Sequence, residues 1–195
     1  MRSLLFAGVT LLASTSALAD WTLNPDASKI SFTSTKANIA AEVHGFRELA
    51  GGVDKDGRAT LEIRLDSVDT AIEIRDERMR DMLFETGKYP LATVNLKLDP
   101  ATIASLKPGE RNLVTAEAEL ALHGTMSPLT VEMYVAKLTD NKMIVTSTKP
   151  VIVNASTVGL EAGIEKLRNV AGLPSISPAV PVTFALQFDK DPIKL

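Results

Sequence analysis

The feature that most constrains this chain is an alternation of apolar and polar residues with a period of two, repeated through about eight segments. "SKISFTST" sets Ile30 and Phe32 on one face, and "ANIAAEVHGF" groups Ile39, Ala41 and Val43. "ATLEIRLDS" alternates Leu61, Ile63 and Leu65 with polar neighbours, and "LATVNLKLD" does the same with Val94, Leu96 and Leu98. "LVTAEAELALHG", "PLTVEMYVAKL", "KMIVTSTKPVIV" and "VPVTFALQF" complete the series, with Ala116, Ala118, Leu120, Met133 and Phe184 in the apolar phase. Successive strand side chains point to opposite faces, so this pattern predicts antiparallel sheet with one face in a core and the other in water. Such a sheet either packs on a second one as a sandwich or closes on itself as a barrel. Small inward residues such as Ala41, Ala116 and Ala118 favour the barrel, because they leave space where a packed sandwich wants bulk.

One stretch breaks the alternation. In "IEIRDERMRDMLFETGKYP", Ile72, Met79, Leu83 and, at the margin, Met82 share one side of a helical wheel, while Glu77, Arg78, Asp81 and Glu85 share the other. The spacing of Thr70 and Glu73 predicts a capping box at its start, and Gly87 and Pro90 mark its end. Arg75 and Asp76 fall at the edge of the apolar face. An ion pair that pins the helix, mutual or directed at a strand, is one role for them, and contact between Arg75 and an anionic ligand head is another. About Glu161 to Ala171, Ile164, Leu167 and Ala171 align as the face of a second short helix, followed by a Ser/Pro-rich connection.

The segment Met1 to Ala19 reads as a secretory leader, with Arg2, an apolar run too short to span a bilayer, and a small-residue cleavage site at Ala17–Ala19. Residues 20–195 are then expected as one exported domain beginning at Asp20. No cysteine follows the leader to carry a lipid, so no permanent membrane anchor is expected. The net charge of −3 gives no electrostatic footprint for nucleic acid, and zero cysteines exclude a disulfide framework and thiol chemistry. Two histidines without zinc-ligand spacing predict no metal, and neither a nucleophile elbow nor a phosphate-binding glycine loop is present. The chain therefore reads as a non-enzyme without a cofactor.

"WTLNPDASKISFTSTK" from Trp21, "GGVDKDGRATLEIRLDSVDTAIEIRDERMRDMLFETGKYPLATVNLKL" from Gly51 and "AELALHGTMSPLTVEMYV" from Ala118 resemble the YceI family of bacterial lipid-binding proteins. The aromatic before "NPDASKISF", the charged helix, the "YPLAT" re-entry and the strand ending in "LHG" occur in the family's order. The resemblance implies a mainly β fold, an eight-stranded antiparallel lipocalin-like barrel with one or two short amphipathic helices. It further implies a periplasmic carrier of a long-chain amphiphile, a polyisoprenoid such as an isoprenoid quinone or prenyl phosphate, or a fatty-acid derivative. Homodimers are common in the family, which leaves a homodimer open here. The C-terminal third, Asn154 to Pro181, departs from the family's usual turn.

The expected tunnel wall is the inward phase, Phe32, Val43, Leu65, Val94, Ala118, Leu120, Met133 and Phe184, closed at one end by Met79, Met82 and Leu83. Arg75, Tyr89 and His123 are candidate head-group contacts. Two other classes fit the same barrel. One is a stress or assembly factor working through its outer surface, and the other is a lipid-modifying enzyme, for which no reactive constellation is visible.

Overall fold

The computed structural model describes residues 20–37 and 39–190; the segment Met1–Ala19, expected as a leader, and the last five residues of the expected domain lie outside the described part. One antiparallel sheet contains β1 (Trp21–Lys36), β2 (Ala40–Phe46), β3 (Leu49–Val53), β4 (Arg58–Arg64), β5 (Val68–Asp69) and β6 (Leu91–Lys97). It continues with β7 (Arg111–Leu122), β8 (Thr125–Thr139), β9 (Lys142–Ser147), β10 (Val151–Asn154) and β11 (Ala179–Lys190). Three helices interrupt it: α1 (Glu73–Arg78), continued by a π-helical turn at Met79–Phe84, α2 (Pro100–Ala104) and α3 (Glu161–Val170).

Closure follows from the length of β1. Its first half pairs with β3 and its second half with β2, while β11 runs along its other edge from Trp21↔Lys190 to Phe32↔Val182. The circuit β1–β11–β9–β8–β7–β6–β4–β3 returns to β1, giving a closed eight-stranded barrel. Segments β2, β5 and β10 extend the wall at one end, beside the helices. A closed sheet removes the unpaired edges that an open one presents to other chains.

β3 is not among the segments that the sequence reading assigns to strand, since "LAGGV" shows no alternation. Gly51 is required there: at φ 156°, an added Cβ would sit 2.2 Å from the Thr60 carbonyl oxygen on β4. Gly51 thus allows β3 and β4 to approach closely.

Alternation places Leu65, Leu120, Val131, Met133, Val135 and Met143 inside, all buried. The exception is β2. Val43 is 70% exposed, and the inward phase there is Glu42, His44 and Phe46, so the expected inward set of Ile39, Ala41 and Val43 is reversed. The pairing Phe32↔His44 in β1–β2 fixes this register, and a shift of one residue exchanges the faces.

The first helix is shorter and differently capped than its sequence suggests. Ile72 is its N-cap, has no side-chain cap bond and is 48% exposed. Thr70 does not cap the helix; its backbone N–H and hydroxyl donate to the buried Asp76 carboxylate at 2.9 and 2.5 Å. The π turn then widens the spiral, so that Met79, Leu83 and Phe84 are all buried over one mouth of the barrel. The turn ends at Glu85, whose φ of 49° lets its N–H reach the Arg80 carbonyl.

Candidate functional site

The barrel encloses a cavity of about 230 Å³. Of the residues expected in the tunnel wall, Phe32, Leu65, Leu83, Val94, Leu120, Met133 and Phe184 border it, and Phe46, Phe84, Val158, Leu160 and Ile164 border it as well. Among all its lining residues only Thr60 is polar. A space walled this way holds water poorly, since a buried water needs two to four polar partners. It suits an apolar chain, with roughly 25 cal/mol gained per Å² of apolar surface removed from water.

A second chamber of about 170 Å³ lies at the helical end. Phe32, Leu83, Ile164 and Val180 border both spaces and form the partition between them. Phe32 is the hub of an aromatic chain, with ring centroids 5.3 Å from His44 and 5.4 Å from Phe46, and Phe46 lies 5.9 Å from Phe84. The outer chamber differs in chemistry: Ser34, Lys36, His44, Arg75 and Arg78 line it beside Met79 and Leu167. The site thus has an apolar inner tunnel and a vestibule of mixed chemistry, in which Lys36, Arg75 and Arg78 sit beside an apolar wall.

Glu42 organises the vestibule from its rim. Its Oε2 accepts from Arg75 Nη1 at 2.5 Å and from the Lys36 ammonium, tying α1 to the end of β1. The Lys36 hydrogen bond, with the Arg75 charge adding to it, holds the Glu42 carboxyl below the usual range. Arg75 Nη2 also donates to the Thr70 carbonyl at 2.7 Å. His44 Nε2 shares a 2.9 Å hydrogen bond with Ser34 Oγ, and its side chain is 3% exposed. Burial, then the nearby Arg75 charge, pushes the His44 pKa down, so the ring is neutral at pH 7. His44 Nδ1 and Arg75 Nε are buried without a hydrogen-bond partner. A buried group left unpaired costs about 1–3 kcal/mol, which a ligand that pairs with it can offset.

The other expected residues fall elsewhere. Met79 borders the vestibule and not the tunnel. Ala118 is buried between Leu96 and Leu129 of its neighbouring strands without reaching the cavity, and half-buried Met82 borders neither space. Val43 points outward. Tyr89 and His123, expected near a head group, border neither chamber: their rings pack at 4.4 Å, and His123 Nε2 lies 3.5 Å from Glu85 without hydrogen-bond geometry. Glu85 also meets Lys166 of α3 at 3.5 Å, so these residues fasten the helices to each other and to the β7–β8 turn. Of the three head-group candidates, only Arg75 lies where a head could sit. Lys36, Arg78 and His44, which also line the vestibule, are not among the head-group candidates of the sequence reading. The inward phase of β2 could have revealed His44, had Glu42-His44-Phe46 been weighed against the more apolar outward set. Among the described residues no group of three or more His, Asp or Glu side chains could hold a metal ion.

A closed antiparallel barrel around a dry cavity, with a polar chamber at one mouth, defines an apolar-ligand-binding protein of lipocalin-like architecture. The YceI-like domain family matches residues 21–188, and the chain belongs to that family. It is similar to a polyisoprenoid binding domain from Saccharophagus degradans, with 40% identity, a TM-score of 0.87, and coverage of 89% of this chain and 100% of that one. Burkholderia cenocepacia BcnA shares the fold at 18% identity and TM-score 0.66, over 85% of this chain and 98% of that one. A Campylobacter jejuni YCEI protein shares it at 13% identity and TM-score 0.54, over 76% and 85% respectively. Comparison with functionally curated proteins returns no match.

Proposed function

We propose that this protein is a periplasmic carrier of a long-chain polyisoprenoid amphiphile, an isoprenoid quinone or a prenyl phosphate, whose chain occupies the barrel and whose head faces the vestibule. The observation that carries the reading is the inner cavity, in which Thr60 is the one polar lining residue and which shares Phe32 and Leu83 with a second chamber bordered by Lys36, Arg75 and Arg78. That order of environments matches an amphiphile with a long apolar tail. The description of the Saccharophagus degradans domain as polyisoprenoid-binding supports the isoprenoid class for this chain. The apolar run and cleavage signal at Met1 to Ala19 support export, with the mature protein starting at Asp20. The role is read as binding rather than catalysis, since Glu42 engages Lys36 and Arg75 in pinning α1 and, among the described residues bordering the tunnel, Thr60 is the one polar side chain.

The test is to express the full chain with its leader, fractionate the cells, and examine the purified protein by native mass spectrometry followed by organic extraction. An isoprenoid bound one per barrel in the periplasmic fraction is expected. A protein that stays empty, and takes up no polyisoprenoid when offered one from detergent, overturns the reading.

A further inference from the structure

The region that departs from the family's usual turn is what encloses the outer chamber. Leu167, Val170, Leu173 and Ile176, from α3 and its connection, supply the wall opposite β1 and α1. The connection is stitched to the end of β1, with Ala37 N–H donating to Ser175 O at 3.0 Å and Ser177 N–H to Thr35 O at 2.9 Å. α3 itself sits directly on the π turn through Gly163, where an added Cβ would lie 2.8 Å from Leu83 Cα. This segment therefore supplies one wall of the outer chamber.

Every charged side chain lining that compartment is cationic: Lys36, Arg75 and Arg78. Glu42, which pairs with the first two, is not part of the lining, and Arg78 has no ion-pair partner among the described residues. Arg75 Nε is a buried donor without an acceptor, and His44 Nδ1 is a second buried polar atom without a partner. A neutral carbonyl head would engage one donor and leave Arg78 uncompensated beside an apolar wall. A tetrahedral anion presents several acceptor oxygens, and guanidinium groups pair with such oxygens in charge-assisted hydrogen bonds.

We propose that the compartment built by α3 is an anion subsite that selects a phosphorylated head group, so that among polyisoprenoids this protein prefers prenyl phosphates to neutral prenols and quinones. Arg78 makes the principal ionic contact, Arg75 Nε donates beside it, and Lys36 closes the rim. The inference rests on the carrier reading above, and its test separates the two.

The affinities of the empty protein are measured for a polyprenyl monophosphate and for the polyprenol of the same chain length, by tryptophan fluorescence or thermal shift. Wild type is compared with Arg78→Gln and with Arg47→Gln, a change at an exposed arginine paired with Asp69 outside both chambers. The phosphate is expected to bind about tenfold more tightly than the alcohol, in line with the strength of charge-assisted bonds. Arg78→Gln is expected to remove most of that preference and leave polyprenol affinity unchanged, and Arg47→Gln to alter neither. Equal affinity of wild type for the two ligands, or a preference that survives Arg78→Gln, overturns the anion subsite while leaving the carrier reading intact. Failure of both ligands to bind sinks the carrier reading and the subsite with it. Inorganic phosphate alone is expected to give no shift, and one as large as that from polyprenyl phosphate would mean a free-anion site and overturn the head-group assignment.

Discussion

His44 shows how one buried side chain can join stability to function. Its ring packs at a tilt against Phe32 at the partition, shares a hydrogen bond with Ser34, and lies near Arg75, Lys36, Glu42 and Asp76. Because burial lowers its folded pKa below the unfolded value, the unfolded chain binds a proton more readily in the window between the two. Stability is therefore lost as pH falls from about 6.5, the ordinary histidine value, toward the depressed folded value. Glu42 adds a loss of the same sign at lower pH, since its folded pKa is depressed and its contribution fades as pH falls through it. Melting followed from pH 7.5 to 5 should show a decline in wild type that is shallower in His44→Gln, which cannot take up the proton. Parallel curves for the two proteins would show that His44 does not set the dependence. A second residue-scale prediction concerns Ala92, which is buried and borders the tunnel. Ala92→Trp should fill ligand space at a cost of roughly 1–3 kcal/mol in stability and abolish the melting shift produced by a polyisoprenoid. Glu117→Gln on the outer face should change stability by less than about 0.5 kcal/mol and keep the full shift. Retention of ligand by both variants would contradict the tunnel assignment.

At the scale of elements, the helical cover is one unit of two parts. The π turn delivers Met79, Leu83 and Phe84 to the barrel mouth, and α3 packs on it where Gly163 leaves room for backbone contact. Both atoms nearest a Cβ at Gly163 are backbone, Leu83 Cα and Met82 O at 2.8 Å, so they cannot rotate away. Gly163→Ala should therefore push α3 off the turn, destabilising the protein by roughly 1–3 kcal/mol despite alanine's better helix propensity, and speed ligand release. Unchanged melting and release would show that the cover does not depend on this contact. The two methionines can be told apart in the same way. Met79 borders the vestibule and Met82 borders neither chamber. Met79→Ala should reduce ligand-induced stabilisation, which follows RT ln(1 + [L]/Kd), whereas Met82→Ala should lower melting equally with and without ligand. Equal ligand-induced shifts in both would make Met79 ordinary core.

For the whole molecule, closure and hollowness go together. An eight-stranded barrel has an interior just wide enough to be filled by side chains or to hold one small ligand, and small residues such as Ala59 and Ala92 along the wall tip it toward the second state. The eight-stranded architecture was legible because a period of two survives in almost every wall strand, and Leu65, Val94, Leu120, Met133 and Phe184 follow from it directly. It was not legible in β2, where the face turned inward carries Glu42 and His44 and the face turned outward carries Ala41 and Val43. There the polar residues answer to the vestibule and not to the core, so local hydrophobicity points the wrong way.

The sequence by itself determined the period of most strands and the two helical exceptions, because those depend on neighbours a few residues apart, and its motifs in order along the chain carried the YceI-like family. Only the tertiary structure decided which polar side chains meet. Lys36, His44 and Arg75 come from separate segments and converge because β1 pairs with β2 while Glu42 draws α1 over the mouth. Tyr89, just before β6, and His123, in the β7–β8 turn, are equally eligible by residue type, yet they pack on each other and border neither chamber. Contacts between residues distant in the chain depend on how the barrel closes and where the helices land on it, and no local pattern encodes that.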